Sequence, residues 1–208
     1  MGIEREIKLA LPPEQANAAA QYFFERTGDA GREVPLDNIY FDTPSLTLTQ
    51  AKIALRLRKT PSGWLQTLKA AGTAEGGLHS RHEWETPVAG AALDFDVLAA
   101  VCDDAQALDV LRRAVPQLCE IFRTRFTRRL WRLTVGGAQI EAAIDRGEVT
   151  AEVDGATRRT PISEIELELM EGDESALHTL AAELSSKVPG LAPENVNKAQ
   201  RGYRLRAG

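Results

Sequence analysis

Long apolar runs are missing from this 208-residue chain. No stretch reaches the roughly 18 consecutive apolar residues that cross a bilayer as a helix, so no membrane partner is expected. The opening "MGIERE" is charged and strand-like and lacks the apolar core of a secretory signal. Position 6 holds Glu6, not the Ser or Thr that a myristoylation signal carries after Gly2. Cysteine is scarce. Cys102 and Cys119 lack metal-ligand spacing and read as small buried hydrophobes in a reducing compartment. His79, His82 and His178 show no paired spacing, which argues against a zinc site and for surface or structural roles. An excess of positive charge is absent too: 25 Lys and Arg face 30 Asp and Glu, a net charge of −5, which argues against a nucleic-acid partner. Gly76-Gly77 and Gly136-Gly137 read as turns, since neither opens a helix after a strand to cradle a phosphate. Ser45 and Ser80 have no nucleophile–base pattern around them. There is no repeat and no low-complexity linker. These absences leave a cytoplasmic globular chain, one large domain or two small ones, long enough to bury a substantial core.

What is present is alternation. "IEREIKLAL" (3–11) reads as a strand, and Pro12-Pro13 then open a helical stretch ending at Gly28. Residues 36–44 form a short strand closed by Asp42-Thr43-Pro44, which shapes a turn. Residues 53–70 are two alternating runs around Thr60-Pro61-Ser62-Gly63, a hairpin signal, and 76–88 alternate again. Residues 94–118 switch to helical spacing through Val97, Leu98, Val101, Leu108, Leu111 and Val115. Strands resume at 121–135, 138–153 and 163–170. A helix over about 173–188 and a basic tail follow. Roughly eight strands with interspersed helices predict an α+β domain built on an antiparallel sheet or barrel.

The polar faces of these strands are unusual. They carry Glu4, Glu6 and Lys8; Arg56 and Arg58; Thr67 and Lys69; Arg81, Glu83 and Glu85; Arg123 and Arg125 or, on the other face, Arg128; Glu141 and Asp145; and Glu164, Glu166 and Glu168. Same-face neighbours on a strand lie about 7 Å apart, so rows of carboxylates repel unless facing cations or a bound metal relieve them. A hard divalent ion such as Mg²⁺ suits Glu4 and Glu6 facing Glu166 and Glu168, while Arg and Lys remain to grip anionic oxygens. A solvated face laced with ion pairs explains any one strand. A closed barrel, charged inside and covered by helices outside, explains all of them. Glu83 and Glu85 either complete the acidic cluster or pair with neighbouring arginines. Trp84 alternates out of phase with Arg81, Glu83 and Glu85 and is expected in the outer core, as is Trp131, so nothing demands an organic partner for the anion.

"ExExK" at Glu4, Glu6 and Lys8, then "NIYFDTP", "LRLRK", "TLKAAG", "GGLHSRHEWE", "AAIDRGEV", "EIELELMEGD" and "NKAQRGY" resemble, in order along the whole chain, the CYTH superfamily or triphosphate tunnel metalloenzymes. The resemblance implies a single domain over residues 1–208, an eight-stranded antiparallel β-barrel tunnel with flanking helices, holding a small polyanion with Mg²⁺ or Mn²⁺. It implies metal ligands at Glu4, Glu6, Glu166 and Glu168, with Asp145 and Glu164 next. It implies phosphate ligands at Lys8, Arg56, Arg58, Lys69, Arg81 and Lys198, with Arg125, Arg128 and Arg201 as further candidates. Glu6, Lys69, Arg56 and Glu168 are the catalytic candidates. "GGLHSRHEWETPV" and "KAQRGYRL" are most similar to bacterial inorganic triphosphatases whose tunnel domain precedes a helical CHAD domain. The chain ends about where such a domain would start, so it is expected to be a stand-alone form or an excised domain with a C-terminal CHAD-type partner. The leading expectation is hydrolysis of inorganic tripolyphosphate. Class IV adenylate cyclase, thiamine triphosphatase and a non-catalytic polyphosphate-binding module are the alternatives.

Overall fold

The computed structural model describes residues 2–207. Gly2–Ala10 form strand β1, and a 3₁₀ turn at Pro13–Gln15 leads into helix α1 (Ala16–Thr27), which Gly28 closes in a left-handed conformation. Next come β2 (Arg32–Asp42), the one-turn α2 (Thr47–Gln50), β3 (Ala54–Thr60), β4 (Gly63–Glu75) and β5 (Leu78–Val88). Helices α3 (Phe95–Val101) and α4 (Ala105–Ala114) separate these from three long strands, β6 (Cys119–Val135), β7 (Ala138–Val153) and β8 (Ala156–Glu171). The chain finishes with α5 (Ser175–Lys187), the two-residue β9 (Ala192–Pro193) and α6 (Lys198–Ala207). Among the described residues no helix is long and apolar enough to cross a membrane.

The strands pair antiparallel in the order β5-β4-β3-β2-β6-β7-β8-β1, and β1 pairs back onto β5, so the sheet closes into the expected eight-stranded barrel. β9 extends the edge of β1 at Leu9 and Ala10. Two clusters of apolar strand residues face outward under helices. Helices α1 and α5 cover Ile7, Leu9, Ile140, Ile165 and Leu167, and the ring of Phe23 stacks on Trp131 at 4.9 Å. Helices α2 to α4 cover Leu55, Leu68 and Trp84 with Leu48, Leu98 and Leu111. Each such side chain contributes roughly 1.5–3 kcal/mol when fully buried. Trp84 and Trp131 thus lie outside the barrel. With these apolar side chains packed outside, the residues that alternate with them point into the bore.

Three features depart from the sequence reading. The helical stretch 94–118 is two helices: Asp94 accepts from the Val97 amide and Asp104 from those of Gln106 and Ala107, so each aspartate starts its own helix. The strand at 163–170 begins at Ala156. The basic tail is α6, and it turns inward. Its buried positions are Lys198 and Gly202, four residues apart on one face, and a lysine and a glycine do not read as a core stripe. With Tyr203 it packs on Leu36, Phe122, Phe126, Val149 and Ile162, an apolar plug inside one end of the barrel.

Candidate functional site

A cavity of about 690 Å³ occupies the bore. Exposure falls along β1 from 12% for the Glu4 side chain to 3% for Glu6 and 2% for Lys8, so this row runs from the opening inward. The register sets out the rungs. Glu141, Glu168 and Glu6 are partners across β7, β8 and β1; Glu166 and Lys8 form the next rung; Arg128, Asp145 and Glu164 form a deeper one.

The deep rungs are a closed ion network. Lys198 Nζ donates to Asp145 at 2.6 Å, Glu164 at 2.6 Å and Glu166 at 2.8 Å. Lys8 Nζ donates to Glu166 at 2.5 Å, and Arg128 donates to both oxygens of Asp145 and to Glu166. Burial opposes every one of these charges, yet the cations outweigh it and hold Asp145 and Glu166 below the usual carboxylate range. The acids in turn hold Lys8 and Lys198 above the usual lysine range despite their burial. Oxygens of Asp145, Glu164 and Glu166 lie within 4.8 Å of one another, a spacing that fits a metal, but the Lys198 ammonium already occupies their focus. Arg201 backs the network from outside the cavity: its Nη2 sits 2.9 Å from Oε2 of Glu164, off the hydrogen-bonding direction, so that buried oxygen accepts no hydrogen bond.

The shallower wall is organised differently. Lys69 Nζ donates to both oxygens of Glu4 at 2.9 Å, and Arg81 reaches Glu4 at 2.8 Å and Glu6 at 3.1 Å. Burial works against the Glu4 carboxylate, and Lys69 and Arg81 overcome it and hold its pKa well below the usual range. Glu83 pairs with Lys69 at 2.5 Å and Arg56 at 3.6 Å, and Glu85 accepts from Thr67 and lies 3.9 Å from Arg56, so both acids line the cavity paired with neighbouring cations. Glu168 forms no ion pair among the described residues. Burial, and then Glu4 and Glu6, push its carboxyl up to about 7. This is a local surplus of negative charge.

The remaining candidates fall as follows. Arg56, Arg58 and Arg128 line the cavity with Tyr40, while Arg125 lies on the outer surface, 61% exposed and paired with Asp37 at 3.1 Å. Arg123 is outside as well, paired with Glu120. The alternation of β6 is continuous through both arginine sets, and only the closure of the barrel tells which parity faces in. His79 lines the cavity but is fixed by the Glu194 carbonyl at 2.8 Å, whereas His82 stacks on Trp84 outside. Asp42 accepts from the amides of Thr43, Leu48 and Thr49 and from the Tyr203 hydroxyl at 3.0 Å; it shapes the turn and anchors α6. Asn38, Tyr40 and Tyr203 were not candidates on sequence, because no charge marks them.

A closed antiparallel barrel whose bore is lined by facing rows of carboxylates and cations defines a class, and the sequence pattern of the CYTH domain matches residues 2–203. The chain belongs to the CYTH domain family. It is 31% identical over 209 residues to the inorganic triphosphatase of Haemophilus influenzae; the match covers 97% of this chain and 54% of the relative, so the chain spans about half the relative's length. Among solved structures it shares its fold with HpAC1 of Hippeastrum, a candidate adenylyl cyclase described as having a dominant triphosphatase activity, at TM-score 0.65 and 21% identity over 98% of this chain and 96% of that one. A candidate adenylate cyclase from Bacillus halodurans matches at TM-score 0.58 and 20% identity, covering 97% and 98%.

Proposed function

We propose that this domain hydrolyses inorganic tripolyphosphate to pyrophosphate and phosphate with the help of Mg²⁺ or Mn²⁺. The observation that carries the reading is the pairing, within one cavity, of a cationic wall (Arg56, Arg58, Lys69, Arg81) with the acidic rung Glu6–Glu168–Glu141 and Glu4 beside it. The unpaired Glu168 against Glu4 and Glu6 fits a hard divalent cation with oxygen ligands. Glu4, Glu6 and Glu168 would hold it, with Glu166 nearest behind. Asp145 and Glu164, already neutralised, serve instead to hold Lys198 in the bore. When bound, the ion would neutralise charge on the phosphate oxygens and lower the pKa of a coordinated water.

The chain's own side chains supply the rest. Arg56 and Lys69 stabilise negative charge developing on the leaving pyrophosphate, and Lys8, Arg58, Arg81, Arg128 and Lys198 orient the triphosphate in the bore. A glutamate of the 164–168 row, Glu168 among them, would orient the attacking water and accept its proton. Water adds to the terminal phosphorus as its bridging P–O bond breaks, and the electron pair leaves on pyrophosphate. Of the three tryptophans, Trp84 and Trp131 are packed in the outer layers, and the aromatic residues lining the cavity are Tyr40 and Tyr203. This supports an inorganic substrate over one carrying a base or thiazolium. The two cysteines are free, which supports a reducing, cytoplasmic setting. Tripolyphosphate, thiamine triphosphate and ATP, each with Mg²⁺ or with EDTA, test the reading. Phosphate release from tripolyphosphate with Mg²⁺ alone is expected. Cyclic AMP from ATP, or binding without turnover, would overturn it.

A further inference from the structure

Arg56, Lys69, Arg81, Arg128, Lys8 and Lys198 each have a carboxylate within 4.0 Å. Arg58 is different. Among the described residues it forms no ion pair, although it lines the cavity beside Arg56 and Arg128. Its fixed contact is a neutral one: Nε donates at 2.8 Å to Oδ1 of Asn38. Asn38 is fully buried, and its amide nitrogen donates to Thr124 Oγ1 at 2.9 Å and lies 3.4 Å from the Thr124 carbonyl. A carbonyl only accepts, so it fixes which way the Asn38 amide points and leaves Oδ1 facing the guanidinium. The register makes this a built feature. Arg58, Asn38 and Thr124 are direct partners across β3, β2 and β6, one rung below Arg56, Tyr40 and Phe122.

We infer that Asn38, held by Thr124, is a positioning residue that aims Arg58 into the bore while leaving its charge uncompensated for the incoming polyanion. The inference rests on the reading above that the bore binds a triphosphate. A carboxylate at this position would orient the same guanidinium equally well, but it would also neutralise it. Burial, with Arg56 and Arg128 close by, depresses the Arg58 pKa to about 10, outweighing the weaker pull of Tyr40 and Glu85. An anion arriving here relieves that repulsion and adds a charge-assisted hydrogen bond from Nη groups that no carboxylate holds in an ion pair.

The test compares Asn38→Asp and Asn38→Ala with the wild type by calorimetric binding of tripolyphosphate in EDTA, beside thermal melting and steady-state turnover with Mg²⁺. Asn38→Asp adds one carboxylate next to Arg58. Its dissociation constant is expected to rise roughly tenfold or more while its melting temperature does not fall. A residue with a merely structural role would lose stability and affinity together. Asn38→Ala keeps the charge and frees the arginine, so a smaller loss, roughly three- to tenfold, is expected, carried by KM more than by kcat. Wild-type affinity in both variants would overturn the inference. So would an equal loss in both, and so would a wild type that binds no tripolyphosphate. Should Asn38→Asp not fold, wild-type affinity in Asn38→Ala is itself sufficient to reject it. Wild-type binding without turnover would remove the hydrolase reading alone and leave the comparison of affinities intact.

Discussion

Lys198 meets three carboxylates, two of which, Asp145 and Glu164, have no exposed surface. Removing one partner from such a buried set leaves uncompensated charge, typically at a cost of about 3–5 kcal/mol. Lys198→Met is therefore expected to lower the unfolding free energy by about that much in denaturant titration; a loss below about 1 kcal/mol would show that water already screens the network. Glu6→Gln tests the opposite end of the row. Metal-dependent phosphate release should vanish while the circular dichroism spectrum is unchanged, and an active Gln variant would contradict the proposed role. The inward row of β1 was legible in the sequence, since the alternation of Ile3, Glu4, Arg5, Glu6, Ile7 and Lys8 fixes which residues share a face. The division of labour within "EIELELM" (164–170) was not. Glu164 and Glu168 stand on the same face of one strand, and what separates them is Lys198, which comes from a helix more than 25 residues later.

At the scale of elements, α6 was the segment hardest to read. It lacks an apolar stripe because it packs its backbone against the plug. A Cβ built on Gly202 would lie 2.2 Å from Cδ2 of Phe122, a ring itself stacked on Tyr40 at 4.4 Å. Both rings are buried. Gly202→Ala is expected to cost about 1–3 kcal/mol through overpacking, visible as a lower melting temperature. An unchanged melting temperature would show that α6 does not dock as described. The barrel strands were legible because their turns carry glycine where backbone φ is positive, as at Gly136 (56°) and Gly137 (89°), and because apolar and polar residues alternate between them. The interruption between α3 and α4 was marked by Asp104, whose capping role the helical spacing around it concealed.

The whole molecule is a helix-covered barrel that keeps its apolar mass outside and its charges within, with α6 and an apolar plug limiting the bore. Such an interior is stabilised by what it binds. Under the proposed function, Mg²⁺ at a hundred times its dissociation constant adds about 2.7 kcal/mol to the folded state. A rise of several degrees in melting temperature is expected on adding Mg²⁺, and it should disappear in Glu168→Gln. An equal rise in that variant would place the ion elsewhere. The measurement that reaches the central claim most directly is anomalous diffraction from crystals soaked in Mn²⁺ and tripolyphosphate. A manganese peak among Glu4, Glu6 and Glu168, with phosphate density against Arg56 and Arg58, is the predicted result; a peak at Asp145 and Glu164 with Lys198 displaced, or triphosphate bound outside the bore, would contradict the account.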